Sequence, residues 1–174
     1  MKKMLSLLSI FLLGTVLTAC NGTDNGEYPR ESFVSIEGTA VFGDSDFGIF
    51  RLPENWVTFM DIGGAEGILQ YTADGVNIIT TQILIGEINA RDFAEILLES
   101  ISTNGYINEE INLRSFGEFD AYFASVGFAG SYFNFFVFER PESALGDVQW
   151  FSIEGLPEVV EEIGNMVAST FELN

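Results

Sequence analysis

The stretch Ser131–Arg140, SYFNFFVFER, constrains the fold of this chain more than any other. Alternate residues of a strand point to opposite faces. One set here is Phe133, Phe135 and Val137, and the other is Tyr132, Phe136 and Phe138. Both sets are apolar, so neither face can be left in water. A strand of this kind belongs in the middle of a sheet that is covered on both sides.

The neighbouring segments supply the rest of such a sheet. FVSIEGTAVF reads as a strand or a lead-in to one, and FGIFRL reads as a strand. Pro53-Glu54-Asn55-Trp56 then reads as a turn, with VTFMD as the partner of FGIFRL. Ile68–Ala73 and VNIITTQILIG flank Asp74-Gly75, which predicts a hairpin whose two turn residues take positive φ. Ile107–Phe116, Ala121–Ala129 and VQWFSI complete the strands.

Two segments change period from 2 to 3.6. Asn89 can cap a helix over about 90–103, with Asp92 near its positive end and a stripe of Phe93, Ile96, Leu97, Ser100 and Ile101. Pro157 suits the first turn of a second helix to about 171, with Val159, Val160, Ile163, Met166, Val167 and Phe171 as its apolar stripe. Strands, helix, strands, helix is the order of an α+β domain with a mainly antiparallel sheet flanked by helices.

The first residues give an address. Lys2 and Lys3 precede a 13-residue apolar stretch, Met4–Val16, and then Leu17-Thr18-Ala19-Cys20. The stretch is shorter than the roughly 20 residues a membrane span needs, and the whole has the form of a secretory signal. Leu-Thr-Ala-Cys resembles the lipobox of bacterial lipoproteins. That resemblance implies that the Cys20 thiol receives a diacylglyceryl group and that the leader is cut just before it. The expected organisation is a signal peptide at 1–19, a lipidated N-terminus with a flexible polar tether at 20–32, and one α+β domain at 33–174. A diacyl anchor places the protein on the extracytoplasmic face of the cell membrane. Two acyl chains hold firmly where one, at about 0.8 kcal/mol per buried methylene, does not.

Composition narrows the chemistry. The chain carries 26 acidic residues, and both lysines lie in the leader. After cleavage the five arginines Arg30, Arg51, Arg91, Arg114 and Arg140 leave a formal charge of −21. Such a surface repels nucleic acid and anionic headgroups alike, so the anchor must hold the protein at its membrane. There is no histidine, and Cys20 is the single cysteine. Ser-His-Asp and Cys-His arrangements, disulfides and mature lysine chemistry are therefore out of reach.

Carboxylates are what remain. Glu109-Glu110, Glu118 with Asp120, and Glu161-Glu162 are the candidates for paired acid and base work, each also readable as a solvated face or turn. Asp44 and Asp46 in FGDSDFG are candidates for sharing a calcium ion, although the full twelve-residue loop pattern is missing. Trp56 reads as a core plug, and of Trp150 and Phe151, which face opposite ways, at least one must be buried. Arg51 and Arg140 are expected to neutralise nearby acids or to grip an anion.

FGIFRLPENW resembles the opening hairpin of the Mog1/PsbP-like superfamily, in which a strand runs into a Leu-Pro-x-x-Trp turn. The later order of hairpin, ARDFAEILLESI helix, strands and a closing ASTFEL helix is similar too, over roughly 45–173. The resemblance implies an antiparallel sheet between helices and a binding or assembly role. The expectation from sequence is thus a lipid-anchored binding or scaffold module, not an enzyme, with no cofactor, no metal and no catalytic residue assigned. Its partner is a protein or small ligand. The alternatives are a carboxylate-based hydrolase and a cation or small-ligand carrier.

Overall fold

The structure is a computed structural model and describes residues 37–59, 67–86, 88–141 and 147–173. Cys20, the leader and the tether lie outside the described residues.

Strands β1 (Thr39–Asp44) and β2 (Gly48–Pro53) form a separate antiparallel hairpin. The main sheet has seven strands, all antiparallel. These are β3 (Val57–Phe59), β4 (Ile68–Thr72), β5 (Ile78–Leu84), β6 (Tyr106–Phe116), β7 (Phe119–Phe128), β8 (Ser131–Glu139) and β9 (Val148–Gly155). Their spatial order is β3-β4-β5-β9-β8-β7-β6. Helices α1 (Ala90–Ser102) and α2 (Pro157–Thr170) complete the fold, which is α+β with a mainly antiparallel sheet.

The doubly apolar strand lies where its pattern demands. β8 sits between β9 and β7, and its two residue sets feed two different cores. Phe133, Phe135 and Val137 pack with Ala90, Ala94 and Leu97 of α1. Phe136 and Phe138 pack with Val160, Ile163 and Val167 of α2 and with Phe50 and Leu52 of β2. The sheet is therefore filled between α1 on one face and α2 plus the β1–β2 hairpin on the other. Trp150 and Phe151 divide in the same way, and both are buried.

Three sequence expectations are corrected. FGIFRL is a strand, but it pairs with β1 and not with the VTF segment. The Pro53–Trp56 turn instead carries the chain across to β3, the edge of the main sheet, where Val57↔Thr72 starts the pairing with β4. Trp56, buried at that crossing, belongs to the α2-side core.

The Asp74-Gly75 connection is a hairpin, but its turn is wider than two residues. Only Gly75 has positive φ. Asp74 keeps negative φ because its Oδ1 accepts from the backbone N–H groups of Val76 and Asn77, each at 2.9 Å, an Asx-type closure. Those bonds hold the Asp74 carboxyl below its usual range.

The apolar stripe of α1 is rotated from the expected one. Ala90, Ala94 and Leu97 are buried, Phe93 and Ile101 are partly so, and Ile96 is 42% exposed. The buried contact is made by two alanines and a leucine, which share one cluster with Ala124 and Val137. The cap is as expected: Asn89 Oδ1 accepts from the Asp92 N–H at 2.8 Å.

Candidate functional site

The face of the sheet that carries α2 changes character towards one end. Along β7 the residues on this face run Ala121, Phe123, Ser125, Gly127, and along β8 they run Phe138, Phe136, Asn134, Tyr132. The antiparallel register sets Ser125 against Asn134 and Gly127 against Tyr132. On the outer side Tyr106 of β6 is opposite Gly127. Phenylalanine core thus gives way, within two residue steps, to polar residues.

Gly127 makes the arrangement possible. A Cβ at this position would lie 2.2 Å from Tyr106 Cζ, so the tyrosine ring rests directly on the glycine backbone. Tyr106 and Tyr132 flank the glycine from the two neighbouring strands. Hydrogen bonding to the Tyr132 side chain, followed by desolvation, holds the Tyr106 phenol above its ordinary value. The rest of the Tyr106 ring is in solvent, with the side chain 55% exposed.

Beside this pair, Asn108 Nδ2 donates to Ser125 Oγ at 3.3 Å. Ser125 is 2% exposed. Asn134 Oδ1 is buried and, among the described residues, has no hydrogen-bond partner. Most buried polar atoms are bonded, so an open acceptor here asks for an explanation. Further along β6, Arg114 is held against Glu109 and lies 3.7 Å above the centre of the Phe123 ring. Asn112 Nδ2 donates to Glu109 Oε1 at 2.8 Å. Glu109 and Arg114 at this border are therefore paired with each other.

The carboxylate pairs singled out from sequence do not converge. Glu109 is engaged as described, and Glu110 is exposed. Glu118 and Asp120 are exposed at the β6–β7 turn, with Glu118 beside a shallow open depression formed with Ser169–Leu173. Glu161 and Glu162 are on the solvent side of α2. Among the described residues no three acids or other metal-ligating side chains gather. Asp44 Oδ1 accepts from the N–H groups of Asp46 and Phe47, both at 2.8 Å, and so closes the β1–β2 turn.

The two arginines marked in the sequence are structural. Arg51 is buried, and its Nη1 donates to Thr39 Oγ1 at 3.1 Å across the hairpin. Arg140 Nη1 donates to the Asp46 carbonyl at 2.6 Å and to Gln149 Oε1 at 3.2 Å. Gln149, fully buried, donates in turn to the Phe47 carbonyl at 2.7 Å. Arg140 and Gln149 thus hold the β1–β2 turn onto the sheet through its carbonyls, a duty of backbone pairing and not of charge neutralisation. Trp150 is buried and donates to Gln82 Oε1 at 3.4 Å.

None of the polar residues at this end of the sheet stood out in the sequence. They are ordinary types, and only the strand register brings them together. The signal that was present is Asn134, a single amide inside an aromatic run, together with Gly127 where alternation called for another large side chain.

The architecture is that of an antiparallel α+β sandwich, and a solved structure shares it. The chain is similar to a protein from Bacteroides thetaiotaomicron at 16% identity and TM-score 0.50, over 80% of this chain and 49% of that one. This chain thus spans about half the length of that protein. It is also similar to LpqN of Mycobacterium tuberculosis, a protein involved in cell envelope biogenesis, at 9% identity and TM-score 0.49, over 75% of this chain and 87% of that one. At 16% identity the Bacteroides likeness is one of fold alone. No protein-family model matches the chain, and no curated protein matches it.

Proposed function

We propose that this chain is a lipid-anchored module of the extracytoplasmic membrane face that binds its target without transforming it. The observation that carries the reading is the placement of the single cysteine, Cys20, directly behind Leu17-Thr18-Ala19 and a charged, apolar leader. An anchor of this kind, and not surface electrostatics, suits a mature chain of formal charge −21. A carboxylate hydrolase would want two acids facing one ligand within about 5–9.5 Å. The pairs marked in the sequence are spread over β6, the β6–β7 turn and the outside of α2, which favours binding over hydrolysis.

The test is metabolic labelling with a palmitate analogue, followed by fractionation. The wild-type chain is expected to incorporate label and to sediment with membranes. Cys20→Ala is expected to lose the label and to appear in the medium or as an unprocessed precursor. A processed, membrane-bound Cys20→Ala protein defeats the anchor.

A further inference from the structure

We infer that one end of the sandwich rests on the lipid surface that holds the anchor, with Val57, Val76 and Leu156 as the side chains that enter it. This deepens the reading of the chain as a lipid-anchored module and rests on it.

The first support is where the exposed apolar side chains lie. The antiparallel register fixes which residues share an end of the sheet. Val57 stands opposite Thr72, Thr72 opposite Ile78, and Ile78 opposite Glu154. On the next strand Gly155 stands opposite Tyr132, Tyr132 opposite Gly127, and Gly127 opposite Tyr106. The start of β3, the β4–β5 turn, the β9–α2 junction and the start of β6 are therefore at one end. Eight large apolar side chains are exposed among the described residues, and five belong to that end: Val57, Val76, Tyr106, Ile107 and Leu156. Single exposed apolar residues are ordinary, but their collection at one end marks a contact surface.

The second support is where the chain arrives. The Gly38 carbonyl accepts from the Glu54 N–H at 3.2 Å, and Thr39 stands opposite Pro53. The segment from Cys20 thus joins the domain beside the turn that leads into Val57. The opposite end of the β1–β2 hairpin is the one held by Arg140 and Gln149. A strand such as β7, with 10 residues, separates the two ends by about 33 Å. An anchor at Cys20 therefore presents the bilayer to the apolar end at the higher effective concentration.

The third support is the backbone that carries these side chains. Thr72 Oγ1 accepts from the N–H groups of Asp74 and Gly75, at 3.3 and 2.7 Å. Asp74 Oδ1 accepts from those of Val76 and Asn77. All four amides of the turn that displays Val76 are bonded within it, so it can approach hydrocarbon without stranding a donor. Asn77 Oδ1 also accepts from the Leu156 N–H at 3.1 Å, which ties the turn to the β9–α2 junction. Side chains fixed in this way lose little freedom on contact. Glu54, Asp74 and Glu158 are exposed at the same end, so the contact is shallow and suits a surface without net charge. The anchor supplies the affinity, and the apolar end supplies the orientation.

The experiment reconstitutes the full acylated chain into phosphatidylcholine vesicles. With the Cys20 thiol acylated, an introduced cysteine is the single free thiol, and it takes an environment-sensitive NBD dye. Asn55→Cys places the dye at the apolar end and leaves its apolar residues intact, whereas Glu118→Cys places it on the β6–β7 turn at the far end. The dye at residue 55 is expected to brighten about twofold or more on reaching the interface, and to be quenched by a nitroxide on the lipid acyl chain. The dye at residue 118 is expected to do neither. Val57→Ser, Val76→Ser and Leu156→Ser together are expected to remove most of the gain at residue 55, with flotation unchanged and the melting temperature not lowered. A purely structural role for these residues would lower the melting temperature and leave the gain in place.

The inference is overturned if the chain floats with the vesicles while both dyes stay in water, or while both are quenched alike. It is equally overturned if the gain survives the triple substitution. A gain that grows with the number of chains per vesicle would assign the apolar end to a second copy and overturn it too. A chain that does not float at all defeats the anchor and the inference together, so a failed orientation and a failed anchor are told apart.

Discussion

Glu154 on β9 is flanked across the sheet by Ile78 and Phe133, two apolar side chains. Burial pushes its carboxyl above the usual range. The native state therefore holds on to a proton that the unfolded chain releases earlier. The stability contributed by this protonated carboxyl is fully present below the unfolded value. It is lost as pH rises through the folded value, so at neutral pH Glu154 is a net cost. Glu154→Gln is expected to raise the melting temperature at pH 7 and to leave it nearly unchanged at pH 3.5. Thermal melts across that range check this, and equal shifts at both pH values would show that ionisation is not the cause. Nothing in the motif FSIEG marks Glu154 as buried, because a glutamate near a strand end reads as solvated. Its environment is set by the strands on either side, β5 and β8, which are remote in sequence. Asn134 and Ser125 were hidden for the same reason. By contrast Trp56 was legible as core, and so was one at least of Trp150 and Phe151, since bulk and apolarity decide burial wherever the neighbours come from; both of that pair are in fact buried.

At the scale of elements, local chemistry was the more readable part. Asn89 and Asp92 announce the start of α1, and the structure adds a reciprocal bond, Asn89 Nδ2 to Asp92 Oδ2 at 2.9 Å. Asn89→Ala is expected to cost about 1 kcal/mol, the usual worth of an N-cap. In a chain of this size that is a fall of about 2–4 °C in melting temperature, measurable by calorimetry. Asn89→Asp is expected to stay within a few tenths of a kcal/mol, because it keeps the acceptor and suits the helix dipole. If both variants melt alike, the cap is not what fixes the first turn. Pairing was less readable than existence. β2 was found as a strand, but its partner was misassigned, because the Pro53–Trp56 turn looks like a hairpin loop in one dimension. The rival pairing with β1 is closed by Asp44, whose carboxylate binds the turn's own N–H groups. The hairpin is then held against the sheet by Gln149 and Arg140, about a hundred residues further on. Contacts at that sequence separation leave no periodic trace. The edge strand β6 shows the same limit: two register shifts break its pairing with β7 between Ile107 and Asn112, and bulges of this kind are not visible in alternation alone.

For the whole molecule, aromatic packing and charge pull in opposite directions. Phe116 alone contacts Phe136, Phe138, Phe151 and Phe171 with ring centroids 4.8–5.4 Å apart. With Phe116 these residues come from three strands, β6, β8 and β9, and from the residue that follows α2, so a single cluster ties the C-terminal segment into the sheet. Against this cohesion stands the field of 26 acids. Arg91–Glu95 and Arg114–Glu109 are the ion pairs among the described residues, and both are exposed. Exposed pairs contribute about 0–1 kcal/mol each, too little to balance a net charge of −19. The charge repels itself most strongly when screening is weak, with a Debye length of about 30 Å at 0.01 M salt and about 3 Å at 1 M. Salt screens the two attractive pairs of the described residues as well, but such pairs are short-range, whereas the repulsion sums over the whole surface. Stability is therefore expected to rise with sodium chloride. Between 0.01 and 0.5 M the melting temperature should increase by at least about 2 °C, the shift that about 1 kcal/mol produces in a domain of this size. Chloride is the better choice for this experiment than sulfate, which strengthens apolar burial in its own right. A flat or falling profile would mean that the acids are neutralised by bound cations or by contacts of their own. The acidity would then have to be read as a binding feature of the molecule and not as a solvated coat around its phenylalanine core.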